Sequence, residues 1–154
     1  LRARKQRGRA AGNKEENAAL AERHLGRAGA EPGDWPPDAL REYALLLLAS
    51  GQGEAARDLL EDALSSRHSE SQGASALLLR VLCASAPEDT DAVASALARH
   101  VELAHSAGVL ALDDATLAAV QSLCSRLGAQ SAALSESHAR LSSALLALPR
   151  LPES

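Results

Sequence analysis

The apolar residues of this chain are almost entirely leucine, alanine and valine, and this restriction limits the available folds more than any other feature. The 154 residues include no Phe, Met or Ile, and only one Trp and one Tyr. Leucine and alanine are among the strongest helix formers, whereas β-branched and aromatic residues favour strands. The composition therefore predicts an all-α protein, of a length that suits one domain with a buried core.

Helix breakers and capping residues divide the chain into six predicted helices. Their predicted bounds are 37–50, 53–66, 71–85, 87–106, 113–127 and 129–148. Ser85 is expected to cap the fourth helix, and Asp113 with Asp114 to open the fifth, because short polar side chains satisfy the first amide groups of a helix. The links between helices are short, which predicts that successive helices are antiparallel neighbours.

Apolar stripes support these helices and indicate how they pack. The stripe of the fourth helix contains Val93, Ala96, Leu97, Val101 and Ala104, and that of the sixth contains Leu134, His138, Leu141, Leu145 and Leu148. The first and third helices are apolar nearly all round at 43–49 and 74–79, which predicts burial on more than one side. A mixture of fully buried and amphipathic helices is typical of stacked helical hairpins.

The positive charge of the chain is concentrated at its start. Residues 1–14 hold six basic side chains and no acid, so this segment carries a charge of +6. The remaining residues carry −10, which gives the whole chain its net charge of −4. We interpret 1–13 as a flexible basic arm and 14–36 as a short helix with a Pro/Gly linker, followed by a helical-repeat domain over 37–148 and a tail over 149–154. The first residue is Leu1, which indicates a fragment or a processed product.

Residues that could carry chemistry are scattered along the chain. His100 and His105 lie five residues apart, which turns them away from each other on a helix, so no metal or cofactor site is predicted. Cys83 and Cys124 form no CxxC motif and are expected to be reduced, buried thiols of an intracellular protein, with a disulfide between neighbouring helices as the alternative. No GxSxG motif or phosphate-binding glycine loop occurs, and no enzyme is predicted.

One stretch resembles a tetratricopeptide repeat. Over residues 40–64, Ala44 and Ala56 stand at the positions of close helix contact, Gly51 stands at the turn, and Leu60 is the bulky residue of the second helix. The hairpin over 37–66 therefore resembles this family, and a weaker echo covers 113–147.

The chain also departs from the family pattern. Gly53 replaces the usual aromatic residue, His68 replaces the usual proline, and the next hairpin does not follow at the family's period. The resemblance implies an irregular tetratricopeptide-like α-solenoid of about six helices, with a short N-terminal helix before it.

The surface of such a helical solenoid is expected to bind another protein, so that the chain acts as a scaffold or as a subunit of a larger assembly. The predicted partner-binding residues are Trp35, Arg41, Arg57, Arg67 and Arg80. The alternative is a nucleic-acid-associated, pentatricopeptide-like repeat whose basic arm contacts phosphates through Arg2, Arg4, Lys5, Arg7 and Arg9. No apolar run is long enough to span a membrane, and the expected location is the cytoplasm, the nucleus or an organelle matrix.

Overall fold

A computed structural model describes residues 35–66 and 68–151 and shows that this part of the chain is mainly helical. Its six α-helices are α1 (Pro37–Ala49), α2 (Gly53–Leu64), α3 (Gln72–Ser85), α4 (Thr90–Ala107), α5 (Asp114–Leu127) and α6 (Ala132–Ala147). A 3-10 turn, Gly128–Gln130, precedes α6. The all-α prediction and the existence of the six helices are confirmed, whereas the short helix predicted within 14–36 lies outside the described residues.

Two helix starts differ from the predicted ones. Ser85 is the last residue of α3, and the cap of α4 is Asp89, whose carboxylate accepts a 3.2 Å hydrogen bond from the Ala92 amide. The sixth helix starts three residues late because the chain first makes the 3-10 turn, and the Ser131 hydroxyl then accepts from the Leu134 amide at 3.1 Å. The fifth helix has the predicted start, since the Asp113 carboxylate accepts from the Thr116 amide at 3.0 Å.

Helix α3 lies at the centre of the packing. It contacts α1, α2, α4 and α5, and its residues 74–79 are all buried, which confirms the predicted burial on several sides. Helix α1 differs from the prediction, because only one face is buried and Leu45, Leu46 and Leu48 are half-exposed. Helix α6 packs mainly against α4 and touches its sequence neighbour α5 much less.

The apolar stripe of α4 is buried as predicted, and that of α6 is rotated. All five predicted positions of α4 are buried, and His100 joins them. In α6 the buried residues are Leu134, Ser137, Leu141 and Ala144, so that His138, Leu145 and Leu148 are left half-exposed. Small residues turn towards α4, and the Ser137 hydroxyl donates a 3.0 Å hydrogen bond to the Ala94 carbonyl.

A two-residue parallel strand pair was not predicted. Strand β1 (Leu110–Ala111) pairs with β2 (Arg150–Leu151), so part of the predicted tail belongs to the ordered fold. The Gln72 side chain donates to the Val109 carbonyl and accepts from the Ala111 amide, both at 2.9 Å. The pair is therefore fixed by contacts that join distant parts of the chain, which local sequence patterns do not encode.

Gly53, the first residue of α2, marks a close approach between two helices. A β-carbon at this position would collide with the β-carbon of Ser85 at the end of α3. Glycine thus stands at a position where this packing leaves no space for a side chain.

Candidate functional site

A polar-rimmed depression lies between α2, α3 and α4, and we call it the central groove. Its volume is about 300 Å³. The floor consists of Leu78, Leu82, Ala92 and Ala96, and the rim consists of Arg57, Glu61, Ser65, Ser95 and Arg99. An apolar floor with a few polar groups around it is the usual form of a ligand-binding depression.

Arg57 is held on the rim by carboxylates of its own chain. Its Nε lies 3.0 Å from Glu61 Oε1, one helical turn further along α2, and its Nη1 lies 3.4 Å from Asp89 Oδ2. The hydrogen bond to Glu61 is the main cause that raises the pKa of Arg57, and Asp89 adds to it. The structure thus places Arg57 at a groove, as a partner-binding residue requires, but with its charge already paired.

Arg99 is the second cation of the central groove, and the sequence analysis did not select it. Its Nη2 donates a 2.7 Å hydrogen bond to the carbonyl of Leu64, the last residue of α2, where a positive charge complements the helix dipole. Among the described residues no carboxylate lies within ion-pair distance of Arg99. The residues around Arg99 in the sequence do not mark it as a binding residue, because only the packing of α4 on α2 brings its side chain to the groove.

Trp35 does not lie on an exposed surface. Its side chain is only 6% exposed, and its ring centroid lies 5.1 Å from that of Tyr43. The Trp35 carbonyl accepts a 2.8 Å hydrogen bond from Nε2 of His68, which is also buried. Trp35 is therefore part of the core, and its predicted use as an exposed partner anchor is not supported by this position.

The other predicted partner-binding residues do not form one cluster. Arg41 lines a small cavity of about 80 Å³ between α1 and α3, together with His68 and Leu77. Arg80 is half-buried on α3, and its charge interacts with the carboxylate of Asp113. Burial alone would raise the pKa of Asp113, but its hydrogen bonds and the Arg80 charge outweigh this effect, so the pKa is lowered. Arg67 and the arm residues Arg2, Arg4, Lys5, Arg7 and Arg9 lie outside the described residues.

His100 and the two cysteines are in environments that suppress their reactivity. Burial lowers the pKa of His100 to about 4, although the hydrogen bond to the Ala111 carbonyl opposes this shift. Burial raises the pKa of Cys83 to about 11 and also raises that of Cys124. The thiolate is the nucleophilic form of cysteine, so neither thiol is activated. Within residues 35–66 and 68–151, no three metal-ligating side chains come together.

None of the helices in the described part of the chain combines the length and the apolar character that crossing a membrane requires. Comparison with known proteins gives no further guide, because no family model, curated protein or solved structure matches the chain.

Proposed function

We propose that this chain is a protein-interaction module, built as an irregular stack of helical hairpins, and that its central groove holds a segment of a partner protein. The packing of the first hairpin supports the tetratricopeptide-like part of this proposal. Ala44, Ala56 and Ala63 have no exposed surface, and Gly51 has the positive φ of 77° that suits a tight turn between two helices. Small residues at helix contacts let neighbouring helices approach closely.

Arg99 is the observation on which the proposed site mainly depends. Within residues 35–66 and 68–151, this half-buried guanidinium has no carboxylate partner and only its Nη2 is engaged, by the Leu64 carbonyl, so several donors are available to a ligand. It lies on the same groove as the apolar floor of Leu78 and Leu82. A partner segment with a carboxylate next to an apolar side chain would satisfy both features at once.

The environments of His100 and the two cysteines favour a binding role over catalysis. His100 has no exposed surface, and the pKa values of both cysteines are raised, so these groups offer neither a general base nor a nucleophile to a substrate. The groove itself contains hydroxyl, guanidinium and carboxylate groups without a histidine or cysteine. Recognition of a partner is therefore the activity that these side chains suit best.

The proposal is tested by selecting a displayed library of random peptides on the full chain and measuring the affinity of the enriched peptides by fluorescence polarisation. We expect peptides that combine Asp or Glu with a large apolar residue. Arg99→Gln keeps a donor for Leu64 but removes the charge, and should weaken binding by about 10- to 100-fold, as for the loss of a charged hydrogen bond. Arg126→Gln, on the exposed surface of α5, is the matched control and should leave affinity unchanged.

A second variant tests the groove without changing its charge. Ser95→Trp places a large ring on the exposed rim and should block the same peptides, whereas Ser125→Trp on α5 should not. Selection of no peptide, or binding that survives both Arg99→Gln and Ser95→Trp, contradicts the proposed site.

A further inference from the structure

Helix α6 carries the most exposed large apolar side chain among the described residues. Leu146 is 91% exposed, although the same helix buries Leu134 and Leu141 against the body. It lies three residues after Ser143 and seven after Ala139, which places all three on one face of the helix. A single exposed leucine is common on protein surfaces and needs no explanation. Leu146, however, lies about one helical turn from a groove, so its exposure could serve binding.

A second groove lies between α4 and α6 and extends to Ser143, three residues before Leu146, and we call it the α4–α6 groove. Its volume is about 350 Å³, and its small or apolar walls are Ala98 and Val101 from α4 with Ala139 and Ser143 from α6. The other lining residues are charged or polar: Glu102, His105, Glu136 and Arg140. The small side chains of α6 leave room for a protruding residue from outside. The same surface therefore presents an apolar protrusion and a depression whose small walls can receive one.

We propose that the α4–α6 groove is a self-association surface, at which Leu146 of each of two copies enters the groove of the other. Two antiparallel α6 helices related by a twofold axis between Ser142 and Ser143 bring residue 146 of one copy opposite residue 139 of the other, because both lie equally far from the axis. A twofold interface requires one patch to be complementary to itself, and an adjoining protrusion and depression meet that requirement.

Charges on α6 favour the same antiparallel arrangement. The last turn of α6 contains no basic side chain, so the partial negative charge of the helix end is not compensated within that turn. In the twofold pair, residue 140 lies opposite residue 145 of the other copy. Arg140 is exposed and, among the described residues, has one ion-pair partner, Glu136 at 3.1 Å, rather than the two that hold Arg57. Because an ion pair on the surface is weak, Arg140 can also approach the last turn of the second α6.

The size of the surface sets the strength of the association. Helix α6 has 16 residues, so it is about 24 Å long. Contact along one such helix buries much less than the roughly 800 Å² per partner of a standard stable interface. The dimer is therefore weak and forms in a concentration-dependent way, in the micromolar range or above.

Analytical ultracentrifugation of the full chain, from about 5 µM to about 1 mM, tests the proposal. We expect a reversible monomer–dimer equilibrium. Leu146→Glu should weaken it by about 100-fold or more, because two buried leucines are lost per dimer. Leu151→Glu is the matched control, since Leu151 is 52% exposed in β2, beyond the end of α6, and this variant should associate like the unchanged chain.

Cross-linking tests the predicted geometry. Copper-catalysed air oxidation should join two Ser143→Cys chains rapidly, because position 143 lies beside the axis, whereas Ser125→Cys on α5 and the unchanged chain should give little covalent dimer. A chain that stays monomeric over the whole concentration range overturns the proposal. So does a Leu146→Glu variant that dimerises normally, or a Leu151→Glu variant that loses dimerisation to the same extent.

Discussion

Nε2 of His100 donates a 3.0 Å hydrogen bond to the carbonyl of Ala111, and this bond joins helix α4 to the strand that follows it. The His100 side chain has no exposed surface, so its charged form would have to be buried. The imidazole is consequently neutral at neutral pH, with a pKa of about 4 in the folded protein against an ordinary value of 6.5.

This pKa predicts an acid-sensitive stability. As the pH falls from about 6.5 to about 4, the unfolded chain binds a proton at His100 and the folded chain does not, so the free energy of unfolding decreases by about 3 kcal/mol. His100→Gln retains a donor but cannot titrate, and its stability should change less over this interval. Urea unfolding at a series of pH values measures the effect. His105→Gln, at an exposed position of the same helix, should keep the original pH dependence.

Gly53 should not tolerate even a methyl group. Because the β-carbon of an alanine would collide with that of Ser85, Gly53→Ala should lower the free energy of unfolding by about 1–3 kcal/mol. Gly73→Ala is the matched control in the first turn of α3, where the new β-carbon would meet only ordinary contacts. Because alanine favours a helix more than glycine does, this variant should have unchanged or increased stability. Thermal unfolding followed by circular dichroism compares them, and equal effects would contradict the close approach.

Asp89 should contribute more to stability than the acid beside it in the sequence. Asp89→Ala removes the cap of α4 and the partner of Arg57, and should lower the free energy of unfolding by about 1–2 kcal/mol. Glu88→Ala, at an exposed position, should have little effect. Chemical denaturation of both variants measures the difference, and a larger loss for Glu88→Ala would show that the helix starts elsewhere.

Cys83 should react slowly with thiol reagents in the folded protein. Because burial raises its pKa to about 11, only a very small fraction is thiolate at neutral pH. Iodoacetamide labelling at pH 7.5, followed by mass spectrometry, should modify Cys83 much more slowly than the same residue in urea. Labelling at equal rates in the two conditions would mean that the thiol is not protected by the fold.

Local patterns in the sequence determined the helices of this protein. Leucine, alanine and breaker residues specify where a helix forms, and the stripe of α4 specifies which of its faces is buried, because both depend on residues close together in the chain. The start of α4 was displaced to Asp89 because several nearby polar residues can cap a helix, and only the packed chain selects one of them.

Tertiary structure alone decided the positions of the functional candidates. Trp35 is a core residue because it meets Tyr43 and His68. Arg57 pairs with Glu61 in its own helix, and the fold adds a second carboxylate, Asp89, from the start of α4. Arg99 gained its place beside the central groove from the packing of α4 on α2. The sequence therefore determined the helices and much of their burial, whereas the strand pair, the ion pairs between helices and the grooves depend on distances between residues that are far apart in the chain.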